Sequence, residues 1–429
     1  MSRLKVLISG GGIAGTALAF WLSKMGHDVT VVEWFPTLRT TGLQLDLRGH
    51  GIEVMKLMGL EQDFRERRAP EQGLQIVNSA GKRKAFFPAN KSGKGLQNFT
   101  TDWEIMRGDL CQLLYDHSKD RTKYVFGTSV ESFENKDDGV EVKLTNGNTD
   151  RYDLLVGADG VGSRTRRMML GSGKIDKVDK ADKVDGFEPL RGVYIAYFTA
   201  SWPMKEGEEY LATVYVATGR RTIMIRRYKP DKVQVYLICK NYSERLKNAP
   251  RGDVKEEKEA LAEIYQGAGW WTHEALEAMK DADDFYLEHL GLVKLDSWSQ
   301  GRVTLLGDAG YCPSASTGMG TTSALVGAYV LAGEIGRHCK EGVDTKDGLA
   351  AALKCYEEKL RPFMYQVQDG ISEDSGAWGN MMPSTPFGIG VMHFFLGVVA
   401  FLRLNILGQW FLKEGVKWDL PEYKELLQK

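Results

Sequence analysis

Leu4-Lys5-Val6-Leu7-Ile8-Ser9-Gly10-Gly11-Gly12-Ile13-Ala14-Gly15 stands near the N-terminus and decides how the rest of the chain is read. Residues 4–9 are a nearly continuous apolar run, as expected of a central parallel strand covered on both faces. Gly10, Gly12 and Gly15 then match G-x-G-x-x-G. Residues 14–25 carry Ala17, Leu18, Trp21 and Leu22 on one helical stripe, and residues 28–32 read as a second strand ending on Glu33. In this order each part has a physical task. The first glycine allows a tight turn, the second lets the backbone approach a pyrophosphate, and the third permits close packing of helix on strand. The helix N-terminus offers free N–H groups and partial positive charge, with Ile13 and Ala14 in its first turn. Glu33 is placed to accept hydrogen bonds from an adenosine ribose. The unit therefore predicts a bound dinucleotide and leaves FAD and NAD(P) both open.

Two later segments narrow the choice. Residues 153–166 read Asp-Leu-Leu-Val-Gly-Ala-Asp-Gly-Val-Gly-Ser-Arg-Thr-Arg, a short buried strand followed by Asp159-Gly160, Ser163 and Arg166. In residues 301–320 a strand over 303–306 ends on Gly307-Asp308 and opens into a loop through Pro313 to Gly318-Met319-Gly320, before a helix over 322–337. With these three sites in order, residues 1–370 resemble the group A flavoprotein monooxygenases of the para-hydroxybenzoate hydroxylase fold.

The resemblance implies FAD, with Gly10, Gly12 and Gly15 on its pyrophosphate, Glu33 on the ribose and Asp308 on the ribityl chain. It places the backbone of Gly318-Met319-Gly320 at the pyrimidine edge of the flavin. Asp159 is implied in FAD contacts, and its segment is also associated with NAD(P)H. Arg107 matches the arginine that begins the family's FAD-contacting helix. Arg166 matches a family arginine, although a salt bridge on a helix surface explains it equally. There are departures from the pattern. Trp34 follows Glu33 where the family often has arginine, leaving Arg39 as the alternative phosphate or ribose contact. Tyr311-Cys312-Pro313-Ser314, together with Gly42-Leu43-Gln44-Leu45-Asp46-Leu47, resembles the branch of tetracycline-inactivating and natural-product tailoring monooxygenases.

The implied reaction is reduction of FAD by NADH or NADPH, reaction with O2, and transfer of one oxygen from a flavin hydroperoxide to a small polycyclic or aromatic substrate. Hydroxylation, epoxidation and Baeyer-Villiger oxidation all fit. No second glycine fingerprint is found, as expected if the nicotinamide docks transiently. No triad, metal-ligand cluster or nucleophile elbow stands out, so no side chain is named as an acid, base or metal ligand. The rivals are an oxidase, dehydrogenase or halogenase on the same scaffold, and a catalytically idle flavin-loaded binding protein. The W-x-W-x-I-P signature of flavin halogenases is absent from the sequence.

The expected fold class is α/β. A discontinuous Rossmann-like FAD-binding domain takes 1–72, 101–185 and 285–370, an inserted antiparallel β-sheet substrate domain takes 73–100 and 186–284, and a C-terminal helical segment takes 371–429. The insertion shows as β-rich runs at 193–199, 210–217, 221–228 and 233–239, separated by Pro203, Gly207, Gly219 and Pro230-Asp231. Residues 254–266 read as a surface helix flanking that sheet. Gln44, Tyr215, Met224, Arg226, Tyr236 and Pro313 are the candidates for lining a substrate pocket between the domains.

Composition agrees with this outline. At 429 residues, 43% hydrophobic and 26% charged, the chain has material for two or three packed units. A net charge of −1 gives no electrostatic case for nucleic acid. Cys111, Cys239, Cys312, Cys339 and Cys355 are scattered without a C-x-x-C pair, which fits a reducing, cytoplasmic setting. Residues 387–412 are strongly apolar but are interrupted by Arg403, Asn405 and Gln409, whereas a bilayer span needs about 20 consecutive apolar residues. They read as a helix packed across the two domains, with peripheral membrane attachment as the alternative.

Overall fold

The structure, a computed structural model, describes residues 3–89, 101–171, 185–241, 243–248, 252–371, 382–402 and 416–427. The first strand, Lys5–Ser9, lies in a six-stranded sheet ordered Ser299–Gln300, Val303–Leu305, Leu154–Gly157, Lys5–Ser9, Asp28–Glu33 and Thr122–Phe126. All neighbours are parallel except the short edge strand Ser299–Gln300. Both faces are covered, which explains the nearly continuous apolar run. Val6 and Ile8 pack under the helices Ile13–Lys24 and Gly320–His338, while Leu7 packs against a three-stranded sheet formed by Val130–Lys136, Gly139–Leu144 and Thr149–Tyr152. The chain leaves Lys5–Ser9 towards one edge and returns on its other side as Leu154–Gly157. The crevice between their carboxyl ends is the switch point where such sheets bind ligands.

The second sheet has seven strands in the order Tyr286–Val293, Phe187–Ser201, Lys232–Lys240, Arg221–Lys229, Leu211–Ala217, Gly73–Val77 and Arg83–Pro88. It is antiparallel as expected from the sequence, save for one parallel pairing of Leu211–Ala217 with Gly73–Val77. Alternation along its strands makes two different faces. Tyr194, Ala196, Phe198, Val233, Val235 and Leu237 form a core under the helices Val254–Tyr265 and Thr272–Asp281. Residues of the opposite parity turn towards the nucleotide-binding half. Gln234 marks this face, donating from Nε2 to Gly42 O (2.6 Å) and accepting at Oε1 from Gln44 N (2.8 Å).

The C-terminal segment divides its contacts. The helix Pro386–Phe401, capped by Thr385 Oγ1 on Gly388 N, lies along the edge strand Arg83–Pro88 of the second sheet. Residues 403–412, the rest of the apolar run, fall outside the described residues. Contact with the nucleotide-binding half comes from residues 416–427. Trp418 packs on Phe363 and His50, and Tyr423 fills the space over Gly333, where a β-carbon would overlap its ring. No helix among the described residues is long and apolar enough to cross a membrane.

Candidate cofactor and substrate site

Two of the three fingerprint glycines are demanded by the protein itself. Gly10 has φ +114°, and a β-carbon there would overlap the Ala158 carbonyl; one at Gly15 would overlap the Gly10 carbonyl oxygen. Gly12 is different. Its φ of −77° suits any residue, and the nearest atom to a built β-carbon is Arg107 Nη2, 3.7 Å away. The space above Gly12 is therefore open, bounded by a guanidinium and by the N-terminus of Ile13–Lys24, whose first turn holds no acid.

Arg39 adds a second cation. Burial and then the charge of Arg107 lower its pKa from the ordinary arginine value, with Tyr286 and Glu33 opposing. Its guanidinium lies over the rings of Phe35 (5.1 Å) and Tyr286 (5.7 Å). Among the described residues neither Arg39 nor Arg107 forms an ion pair with a carboxylate; Arg107 Nη1 donates to Thr41 O at 3.5 Å. Two cations, a helix N-terminus and a surface free of side chains make a cradle that fits the diphosphate of FAD. Glu33, at the end of its strand, accepts from Gly11 N (2.7 Å) and Phe35 N (3.0 Å), which fixes its carboxylate beside the turn.

The other two motifs close on this cradle. Asp159 accepts from Arg164 N (2.9 Å), Thr165 N (3.0 Å) and Thr165 Oγ1 (3.1 Å), and from Ser163 Oγ. Its carboxylate is thus committed to the turn that starts the short helix Arg164–Met169. Arg166 is not on a helix surface. It is fully buried and donates to Ala309 O (3.0 Å), Val161 O (2.7 Å) and Asp185 Oδ2 (2.9 Å), tying the Asp-Gly segment to the Gly-Asp segment.

Asp308 is the neighbour of Ala309. Burial raises its carboxyl above the usual aspartate range, with a hydrogen bond from Cys312 and the charges of Arg107 and Arg166 opposing. A β-carbon on Gly320 would stand 3.9 Å from Asp308 Oδ1, and one on Gly307 would press on Ala14, so the third motif folds back on itself and meets the first. Within Gly318-Met319-Gly320, the Gly318 amide donates to Ala315 O (3.2 Å) and the Met319 amide to Thr317 Oγ1 (3.1 Å). Gly320 opens the helix Gly320–His338, so its amide needs an acceptor from outside the helix. Ser314, after the buried Pro313, holds φ +68°, a strained conformation costing roughly 1–3 kcal/mol that clusters at ligand sites. Replacing Asp308 by Ala is expected to weaken FAD binding by about 1.5–3 kcal/mol, the worth of a charge-assisted hydrogen bond. Cofactor titration checks this, and an unchanged affinity would place the ribityl contact elsewhere.

The six substrate candidates separate into groups. Met224 and Tyr236 join Ile195, Tyr197, Leu43 and Tyr286 on the apolar face turned to the cradle, with Tyr197 and Tyr236 edge to face at 5.2 Å. Pro313 is buried in the loop beside Tyr286–Val293, whose Val293 N donates to Cys312 O (3.0 Å). Tyr215 is not brought to this face. Its parity puts it under the covering helices, where its hydroxyl donates to Ala268 O (2.7 Å).

Arg226 and Gln44 belong to a buried polar knot between the two halves. Arg226 donates to both Glu71 oxygens (2.7 and 2.8 Å) and to Glu104 Oε2 (2.9 Å); Gln44 Nε2 donates to Glu71 (3.3 Å) and Glu104. Tyr236 OH donates to Gln234 Oε1 at 3.0 Å. Burial, with Glu71 and Asp46 adding to it, pushes Glu104 well above the usual carboxylate range against the pull of Arg226. Glu71, Glu104 and Gln234 were not singled out from the sequence; the only local signal is a charged Glu104 within the apolar stretch Trp103-Glu104-Ile105-Met106.

Comparison with known proteins agrees with this geometry. The family described as FAD binding domain matches residues 3–370. The FAD-dependent monooxygenase asL4 of Sarocladium schorii is 52% identical over 439 residues, covering 100% of each chain. The flavin-dependent monooxygenase eupH of a Phoma species is 41% identical and covers 93% of each. Among solved structures, the tetracycline destructase Tet(51) is 30% identical, with a TM-score of 0.74 over 98% of this chain and 99% of its own. With a family match across most of its length and a relative similar from end to end, the chain belongs to the FAD-binding-domain family, among the group A flavin-dependent monooxygenases.

Proposed function

We propose that residues 1–72, 101–185 and 285–370 hold FAD, while 73–100 and 186–284 hold a small aromatic or polycyclic substrate that receives one atom of O2. NADH or NADPH supplies the two electrons, and the second oxygen atom leaves as water. The observation that carries this reading is the apolar, aromatic face of Ile195, Tyr197, Met224 and Tyr236, which packs with Tyr286, whose ring lies 5.7 Å from the Arg39 guanidinium of the cationic cradle. The similarity to a tetracycline destructase, named for a polycyclic substrate, points the same way.

Bound FAD supplies the electron transfer and the activation of O2. The protein supplies position. Gly12, Arg107 and Arg39 would receive the diphosphate, Glu33 the ribose and Asp308 the ribityl chain, with the backbone of Gly318-Met319-Gly320 at the pyrimidine edge of the flavin. Asp159 shapes the turn beside them. Tyr197 and Tyr236 exclude water and offer flat surfaces to a ring. Met382, on the same apolar face, brings the start of the C-terminal segment to the pocket. The free thiols fit a reducing cytoplasm.

The test is to follow NADH and NADPH oxidation together with oxygen uptake, adding aromatic polyketides, indole terpenoids and tetracyclines in turn. A product heavier by one oxygen atom, labelled when the O2 is labelled, is the expected result. Substrate consumed without label would mean a dehydrogenase, and FAD that no nicotinamide reduces would mean a binding protein.

A further inference from the structure

We infer that the helix Pro386–Phe401 is a peripheral docking surface for an anionic lipid bilayer, which its outward row of phenylalanines enters while the adjoining lysines meet lipid headgroups. Phe387, Val391, Phe394, Val398 and Phe401 recur at steps of four, three, four and three, which places them on one helical face. That face is open: Phe387 is 82% exposed, Phe394 75% and Phe401 85%, with Phe395 and Leu402 exposed beside them. Val399 is the one buried residue of the helix. Isolated surface hydrophobics need no explanation, but a contiguous row of this kind marks an interaction site.

The rim decides the partner. No Asp, Glu, Lys or Arg lies in the helix, and the strand beneath it begins with Arg83-Lys84, directly after Lys82. Arg83 faces Glu209 at 3.6 Å, whereas Lys82 and Lys84 are exposed. Lys84 borders an apolar groove of about 380 Å³ that also touches His393, Phe394 and Phe401. Apolar side chains flanked by lysines match a membrane surface carrying negative headgroups. A second copy of the chain is the poorer partner, because a two-fold contact sets a patch against itself and would bring these lysines together. The helix has 16 residues, too few to span a bilayer, so it lies on the membrane.

The experiment is flotation of the FAD-loaded full chain with vesicles of phosphatidylcholine alone and of phosphatidylcholine with phosphatidylserine. Binding to the anionic vesicles, weakened by salt, is expected. Combining Phe387→Ser, Phe394→Ser and Phe401→Ser should reduce it at least about tenfold, and Lys82→Glu with Lys84→Glu should abolish the anionic preference. These positions are exposed, so FAD content and melting temperature should stay at wild-type values and serve as the control for folding. Absence of the full chain from both vesicle types, or undiminished binding by the triple variant, overturns the inference. So does a dimer that the triple variant dissociates without any vesicle binding, which would make the row a self-association face. Equal binding to both vesicle types overturns the role of the lysines.

Discussion

Gly12→Val gives a folded protein without cofactor: FAD affinity falls by about three orders of magnitude or more, roughly 4 kcal/mol, while the apoprotein melts as the wild type does. The two halves of this result have separate causes. The backbone at Gly12 has an ordinary φ, and nothing of the protein lies closer to a β-carbon there than Arg107 Nη2 at 3.7 Å. A branched side chain therefore costs the fold little. The volume it takes is the one a diphosphate needs in order to reach the amides of the helix N-terminus. Gly15→Val is the contrasting control, because its β-carbon would overlap the Gly10 carbonyl and the fold itself should fail. Flavin fluorescence on titration and differential scanning calorimetry of the apoproteins separate the outcomes. A yellow Gly12→Val protein with wild-type affinity would mean that the diphosphate lies elsewhere.

Arg226→Ala should be the most destabilising substitution outside the cofactor cradle, at about 3–5 kcal/mol, because it leaves a buried carboxylate without its cation. Glu71 and Glu104 are both buried, and Arg226 bonds to each. Glu104→Gln tests the protonation within the same knot. The folded-state pKa of Glu104 lies above its unfolded value, so the folded protein holds an extra proton between the two. Its contribution is present below the ordinary carboxylate pKa and is lost as pH rises towards the raised value. The glutamine imitates the protonated acid. It should match the wild type near pH 4 and be the more stable of the two near pH 8, where ionising Glu104 costs most. Melting temperatures across that range decide the matter, and parallel curves for the two proteins would show that Glu104 is ionised in the folded state.

The nucleotide-binding half was legible in the sequence because its signals are local. Strand, glycines, helix and acid follow one another within residues 4–33, and Gly307-Asp308 and Asp159-Gly160 each follow directly on a buried strand. The polar knot is invisible by the same standard. Arg226 stands 155 residues from Glu71 and 122 from Glu104, and no periodicity links them. Tyr215 illustrates a subtler limit. Alternation along a strand tells which residues share a face, but not which face turns to the cofactor, and the packing of Val254–Tyr265 and Thr272–Asp281 makes that choice. Arg166 looked equally suited to a surface salt bridge because its acceptors at Val161 and Ala309 come from separate motifs.

That buried arginine also sets a timetable. The proposed cofactor site draws on Gly12, Arg107 and Asp308 together, and Arg166 joins the second motif to the third across 143 residues of chain. A ribosome releasing the polypeptide from its N-terminus makes Gly12 early but cannot complete the site until the helix Gly320–His338 has emerged. At about 5–20 residues per second that interval is on the order of tens of seconds. For most of its synthesis the chain must keep its apolar strands from aggregating without help from the cofactor. FAD is thus the last component added to a nearly finished fold, and a shortage of it would leave folded apoprotein whose empty cradle can still be filled.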